Sequence, residues 1–113
     1  MIKCQPYIGH MRKTRNKEDV WMNHDTEALF GAIFNLKHMD EAKKFFRDLL
    51  TEKEIKEFGQ RWKVARMLAE GTIYTTISKE TGMSSTTIAR IHKWLKKGEG
   101  GYRLVLERLK RSC

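Results

Sequence analysis

From Asp25 onward, apolar residues return at steps of three and four, the repeat of helices that each bury one face. Leu29, Phe30, Ile33 and Phe34, with Lys37 in the same period, predict a first helix capped by Asp25. Asp40 is placed to cap a shorter second helix with Phe45, Phe46, Leu49 and Leu50 on its apolar side. The third helix has the clearest start. Thr51 and Glu54 have capping-box spacing, Leu50 and Ile55 form a hydrophobic staple, and Gly71 supplies the stop. Between these signals Ile55, Phe58, Trp62, Ala65 and Ala69 make a stripe widened by Val64 and Leu68, on a rod of about 30 Å. So wide a stripe fits either an intrachain core or burial against a second subunit.

The segment from Tyr74 to Leu95 carries the pattern of a helix-turn-helix. Ile77, Thr81, Met83, Ile88 and Ile91 supply an inward seam, Ser78 is small where two helices would cross, and Gly82 sits where a tight turn needs positive φ. An ordinary helical hairpin shares the glycine but does not require seam and small residue as well. The outward positions are then Ser84, Ser85, Thr86, Ala89, Arg90 and Lys93, a short polar surface edged by cations that suits a major groove. Gly98, Gly100 and Gly101 end this helix, and Tyr102, Val105, Leu106 and Leu109 place one apolar face on a last helix with Lys110 and Arg111 near its end. The chain reads as all-α, with about six helices and no β-hairpin.

Composition agrees with helices and adds a charge argument. The 113 residues suit one domain, with one Pro and six Met, and the net charge is +9. Residues 74–97 hold five Lys/Arg and one acid, whereas residues 21–50 hold four and five. The cations gather on the suspected reader. Lys79, Lys93, Lys96 and Lys97 are candidate phosphate contacts, while Arg90 and the edge formed by Ser84, Ser85, Thr86 and Thr87 are candidate base readers. On charge alone RNA, an acidic protein and anionic lipid remain open. Residues 1–22 lack a sustained apolar period and carry Lys3, Arg12, Lys13, Arg15 and Lys17 against Glu18 and Asp19, which reads as a basic, flexible arm preceding a helical domain at 23–113.

Several function classes find no support. No apolar run approaches the roughly 20 residues that span a bilayer, and the start lacks a signal peptide's apolar core, so no membrane partner and a cytoplasmic location are expected. Cys4 and Cys113 lie near opposite ends without a CxxC pair, so no structural metal or disulfide framework is expected. His10, His24, His38 and His92 fall in different segments, Ser84 and Ser85 lack a neighbouring base, and the acids at helix starts compensate dipoles. The chain is not expected to be an enzyme.

Taken in order, LLTEKEIKEFGQRWKVARMLAEG, the helix-turn-helix and GEGGYRLVLERL closely resemble the Trp-repressor-like family, especially its YerC-type branch, over roughly residues 22–110. The resemblance implies six helices per subunit, with the first three and the last interlocked in a two-fold homodimer that carries two DNA-reading heads. It also maps Thr51, Arg61 and Arg90 onto the founding repressor's tryptophan pocket, where paired arginines would hold a carboxylate. The founding repressor has glycine at the position of Ile91 and serine at that of Trp94, so tryptophan is not expected to act on this chain and no cofactor is expected. Arg61 also stands one turn from Glu57, and Arg90 can face phosphate. The expected function is a sequence-specific regulator of transcription, a repressor, binding double-stranded DNA at a two-fold operator. The same basic surface would also serve a non-specific nucleic-acid-binding or nucleoid-associated protein.

Overall fold

The computed structural model describes residues 20–112. These contain six helices and no strand: α1 (His24–Ile33), α2 (Met39–Leu49), α3 (Glu52–Ala69), α4 (Tyr74–Thr81), α5 (Ser85–Lys97) and α6 (Gly101–Ser112). Between Leu49 and Leu50 the chain divides into two compact units. The basic arm lies outside the described residues as far as residue 19. Trp21 and Met22, at its expected end, meet α1: the Thr26 hydroxyl donates to the Trp21 carbonyl at 2.8 Å, and the Trp21 ring meets Phe30 edge-on.

Asn23, not Asp25, caps α1. Its side chain accepts the Thr26 N–H at 3.0 Å, and Thr26 Oγ1 accepts the Asn23 N–H at 2.7 Å. Asn and Asp are equally good caps, so reciprocation from the third helical residue decides between them, and Asp25 falls in the first turn. The helix ends at Ile33, which leaves Phe34 as its C-cap and Lys37 beyond it. Asp40 likewise lies inside the first turn of α2. That helix starts at Met39, where the His38 carbonyl accepts the Glu41 and Ala42 N–H groups, and Glu41 accepts the Lys37 N–H at 2.8 Å. Neither α1 nor α2 contains a buried residue.

The second unit begins with the expected capping box: the Glu54 N–H donates to Thr51 Oγ1 at 3.1 Å, and the Thr51 N–H donates to Glu54 Oε1 at 2.9 Å. Its 18 residues give α3 a length of about 27 Å. Past its end, the Gly71 N–H donates to the Leu68 carbonyl and the Thr72 N–H to the Met67 carbonyl, the paired bonds of a Schellman motif. Val64, Ala65 and Leu68 from α3 join Ile77 of α4 and Ile88, Ile91 and Leu95 of α5 in one core, with Tyr102 and Leu106 of α6 packed against it. The α3 stripe therefore splits. Val64, Ala65 and Leu68 are buried within the chain, whereas Phe58 before them and Ala69 after them remain exposed.

Candidate nucleic-acid interface

The turn between α4 and α5 is tied by short polar side chains as well as by its glycine. Gly82 has φ +78°, a left-handed conformation that costs an L side chain about 1 kcal/mol or more. Its N–H donates to the Ser78 carbonyl at 2.8 Å, and the Ser78 hydroxyl reaches across to the Met83 carbonyl at 2.9 Å. The Thr81 hydroxyl donates to the Ile77 carbonyl at 2.8 Å while its oxygen accepts the Met83 N–H at 3.1 Å. Thr81 and Met83 are only half-buried, so the closed seam is Ile77, Ile88, Ile91 and Leu95. Sequence spacing missed Leu95, although it continues the seam by four residues from Ile91. A further tie was also missed: the Tyr74 hydroxyl lies 2.8 Å from His92 Nδ1, joining α4 to α5.

Ser84 is the N-cap of α5. Its oxygen accepts the Thr87 N–H at 3.2 Å and its hydroxyl donates to Thr87 Oγ1 at 3.1 Å. These two expected readers are thus engaged with each other, and Thr87 is half-buried. Ser85, Thr86, Ala89, Arg90, Lys93 and Lys97 are exposed, and from Thr86 onward they recur at steps of three and four along one face. Opposite that face stand Ile88, Ile91 and Leu95. The surface offers short hydroxyls, one guanidinium and two ammonium groups, suited to base edges and phosphates in a groove. Lys79 is exposed in the last turn of α4. Lys96 borders a separate groove with Arg66 and Arg103, and its carbonyl accepts from Arg103 at 2.9 Å.

The residues mapped to an effector pocket have other engagements. Thr51 is held in the capping box, the Arg61 guanidinium lies over the Phe58 ring at 5.7 Å from its centre, and Arg90 is exposed on the outward face of α5. No hydrogen bond or ion pair joins the three among the described residues. Ile91 is 1% exposed and belongs to the core with Val64 and Ala65. A branched side chain so packed leaves no free volume at its own position. No helix among the described residues is long and apolar enough to cross a membrane.

Comparison with known proteins adds three relatives to this geometry. Residues 24–110 match the model of the family described as Trp repressor protein. The uncharacterized protein YerC of Bacillus subtilis (strain 168) is 42% identical over 88 residues, covering 78% of this chain and 85% of YerC. Among solved structures, a candidate Trp repressor from Staphylococcus aureus superposes with a TM-score of 0.76 at 34% identity, covering 85% of this chain and 96% of that one. A TrpR-like protein from Eubacterium eligens ATCC 27750 also gives a TM-score of 0.76, at 42% identity, over 81% and 95% of the two chains.

Proposed function

The chain belongs to the Trp repressor family, and on that premise we propose that it is a sequence-specific repressor of transcription that binds a two-fold operator as a homodimer. The observation that carries this reading is the division of α5 into a sealed inner face, Ile88, Ile91 and Leu95, and an exposed outer one, Thr86, Ala89, Arg90, Lys93 and Lys97. In the proposed complex Arg90, Ser85 and Thr86 read bases, and Lys79, Lys93, Lys96 and Lys97 hold phosphates. Ser84 and Thr87 order the helix start and reach DNA through their backbone and through water.

A second copy is supported by the apolar surface that the single chain leaves open. Phe30 and Phe34 at α1, Phe58 on α3, and Leu104, Val105 and Leu109 on α6 are all exposed. Ala65, which the stripe pattern offered for such an interface, is fully buried inside its own chain and is not available. Two heads about 34 Å apart would enter successive major grooves on one side of the duplex. Tryptophan is not the effector in this reading, because Ile91 stands where the founding repressor has glycine and is itself packed in the core.

Selection of bound duplexes from a random library tests the proposal directly. A recovered palindrome supports specificity and two-fold symmetry together, whereas equal retention of all sequences identifies a non-specific nucleic-acid binder. With the selected duplex, Arg90→Ala is expected to cost about 1–3 kcal/mol and relax preference at one base pair in each half-site. Equal weakening of selected and scrambled duplexes would make Arg90 a phosphate anchor instead.

A further inference from the structure

Helix α6 is shared between the reading head and the open apolar surface. Its Tyr102 and Leu106 pack against the core formed by α3, α4 and α5, and Tyr102 stacks on Trp62 of α3 with ring centres 6.1 Å apart and planes at 27°. The same helix exposes Leu104 and Val105. It is joined to α5 by residues 98–100, and two of these three are glycine. A Cβ at Gly98 would lie 2.5 Å from the Trp94 carbonyl oxygen, and Gly100 has φ +92°. Such a connector does not hold a direction by itself, because glycine populates both signs of φ. Contacts across it must do so.

One of these contacts is polar. Arg103 Nη2, in the first turn of α6, donates to the Lys96 carbonyl in the last turn of α5 at 2.9 Å. Carbonyls at a helix end have no partner within the helix, and the negative end of its dipole favours a cation. The Arg103 side chain thus spans the connector, while Glu107, one turn further along α6, meets Arg111 at 3.9 Å. We propose that Arg103 is a positioning residue for DNA reading, whose bond to α5 fixes the direction in which α6 leaves the head and so the separation of the two recognition helices in the dimer. The inference rests on the proposed homodimer and its two-fold operator, and adds what sets the distance between the heads. Helix α5 is anchored to α3 by their common core, so the direction of α6 is the adjustable part. Through Leu104 and Val105, which the proposed function leaves to a second copy, that direction is passed to the other head. Arg103 itself is exposed, so its bond is a strap on the surface and no part of the core.

The test titrates the full chain with the selected duplex and with versions holding one base pair more or one fewer between the half-sites, at several salt concentrations, and follows sedimented mass. One base pair turns the half-sites by about 35° and moves them by about 3.4 Å, so the parent is expected to bind either altered duplex about tenfold more weakly. Arg103→Ala is expected to reduce that loss to about threefold, the effect of one bond, with mass and salt slope unchanged. Arg103→Lys keeps a cationic donor and should recover the parent's discrimination. Unchanged discrimination in Arg103→Ala overturns the proposal and leaves operator binding intact. A salt slope lowered by about one unit makes Arg103 a phosphate contact, and a fall in sedimented mass makes it an interface contact; either result overturns the positioning role. A parent that binds no duplex, or selects no two-fold site, removes the proposed function and this inference with it.

Discussion

Helices α1 and α2, of 10 and 11 residues, and helices α4 and α5, of 8 and 13, are comparable in length but opposite in what they enclose. Between them α4 and α5 bury Ile77, Ile88, Ile91 and Leu95, with further cover from Val64, Ala65 and Leu68 of α3. Helices α1 and α2 contain no buried residue: Leu29, Ile33, Phe45 and Phe46 are half-buried, and Phe30, Met39 and Leu49 stay exposed. An amphipathic pattern identifies the face that must be covered; it does not say which surface covers it. In the helix-turn-helix the covering residues lie on neighbouring helices of the same chain, whereas the proposed function assigns the cover of α1 to a second copy.

The largest expected effect breaks the self-contained half. Ile77→Asp places an unpaired charge in a side-chain site with no exposure, which should abolish the cooperative thermal transition measured by circular dichroism. The milder Ile77→Ala should cost about 2–5 kcal/mol in denaturant unfolding. If Ile77→Asp melts like the parent protein, the seam does not hold the head together.

A smaller effect sharpens the other side of the comparison. Phe30→Ala combined with Phe58→Ala removes two exposed rings, so it should weaken self-association at least tenfold by sedimentation equilibrium, about 1.4 kcal/mol, while leaving the fold intact. Unchanged association would show that these faces do not meet a second copy. The smallest expected effect is none: tryptophan at millimolar concentration should neither release heat on mixing nor change affinity for the selected duplex. A saturable tenfold gain would show that the packing around Ile91 opens to admit a ligand.

Much of the second unit was legible because its signals are local. Thr51 and Glu54 are three residues apart, Gly71 and Gly82 mark chain reversals, and Ile77, Ile88 and Ile91 recur at offsets set by helix geometry. The caps of α1 and α2 were harder to read for a physical reason. Several residues near Asn23 and His38 can begin a helix, and the choice turns on a reciprocal bond, Thr26 to Asn23, or on a side chain reaching back, Glu41 to Lys37. Ala65 and Phe58 show a second limit, since both fit one stripe although only Ala65 is buried. The Tyr74–His92 bond left no trace in hydropathy, because the two residues are 18 positions apart and polar only at one edge. Among the candidate site residues, spacing identified the exposed Arg90 and Lys93 but could not show that Ser84 and Thr87 bond each other.

The ties between α4 and α5 bear on the angular tolerance of the reading surface. At 13 residues α5 is about 20 Å long, so a tilt of about 10° about one end would move the other by about 3.4 Å, the rise of one base pair. A loosely hinged helix of that length would blur neighbouring bases. The Ser78–Met83 bond at the turn and the Tyr74–His92 bond farther along α5 constrain it at two separated points, converting side-chain packing into positional accuracy at the far end of a lever.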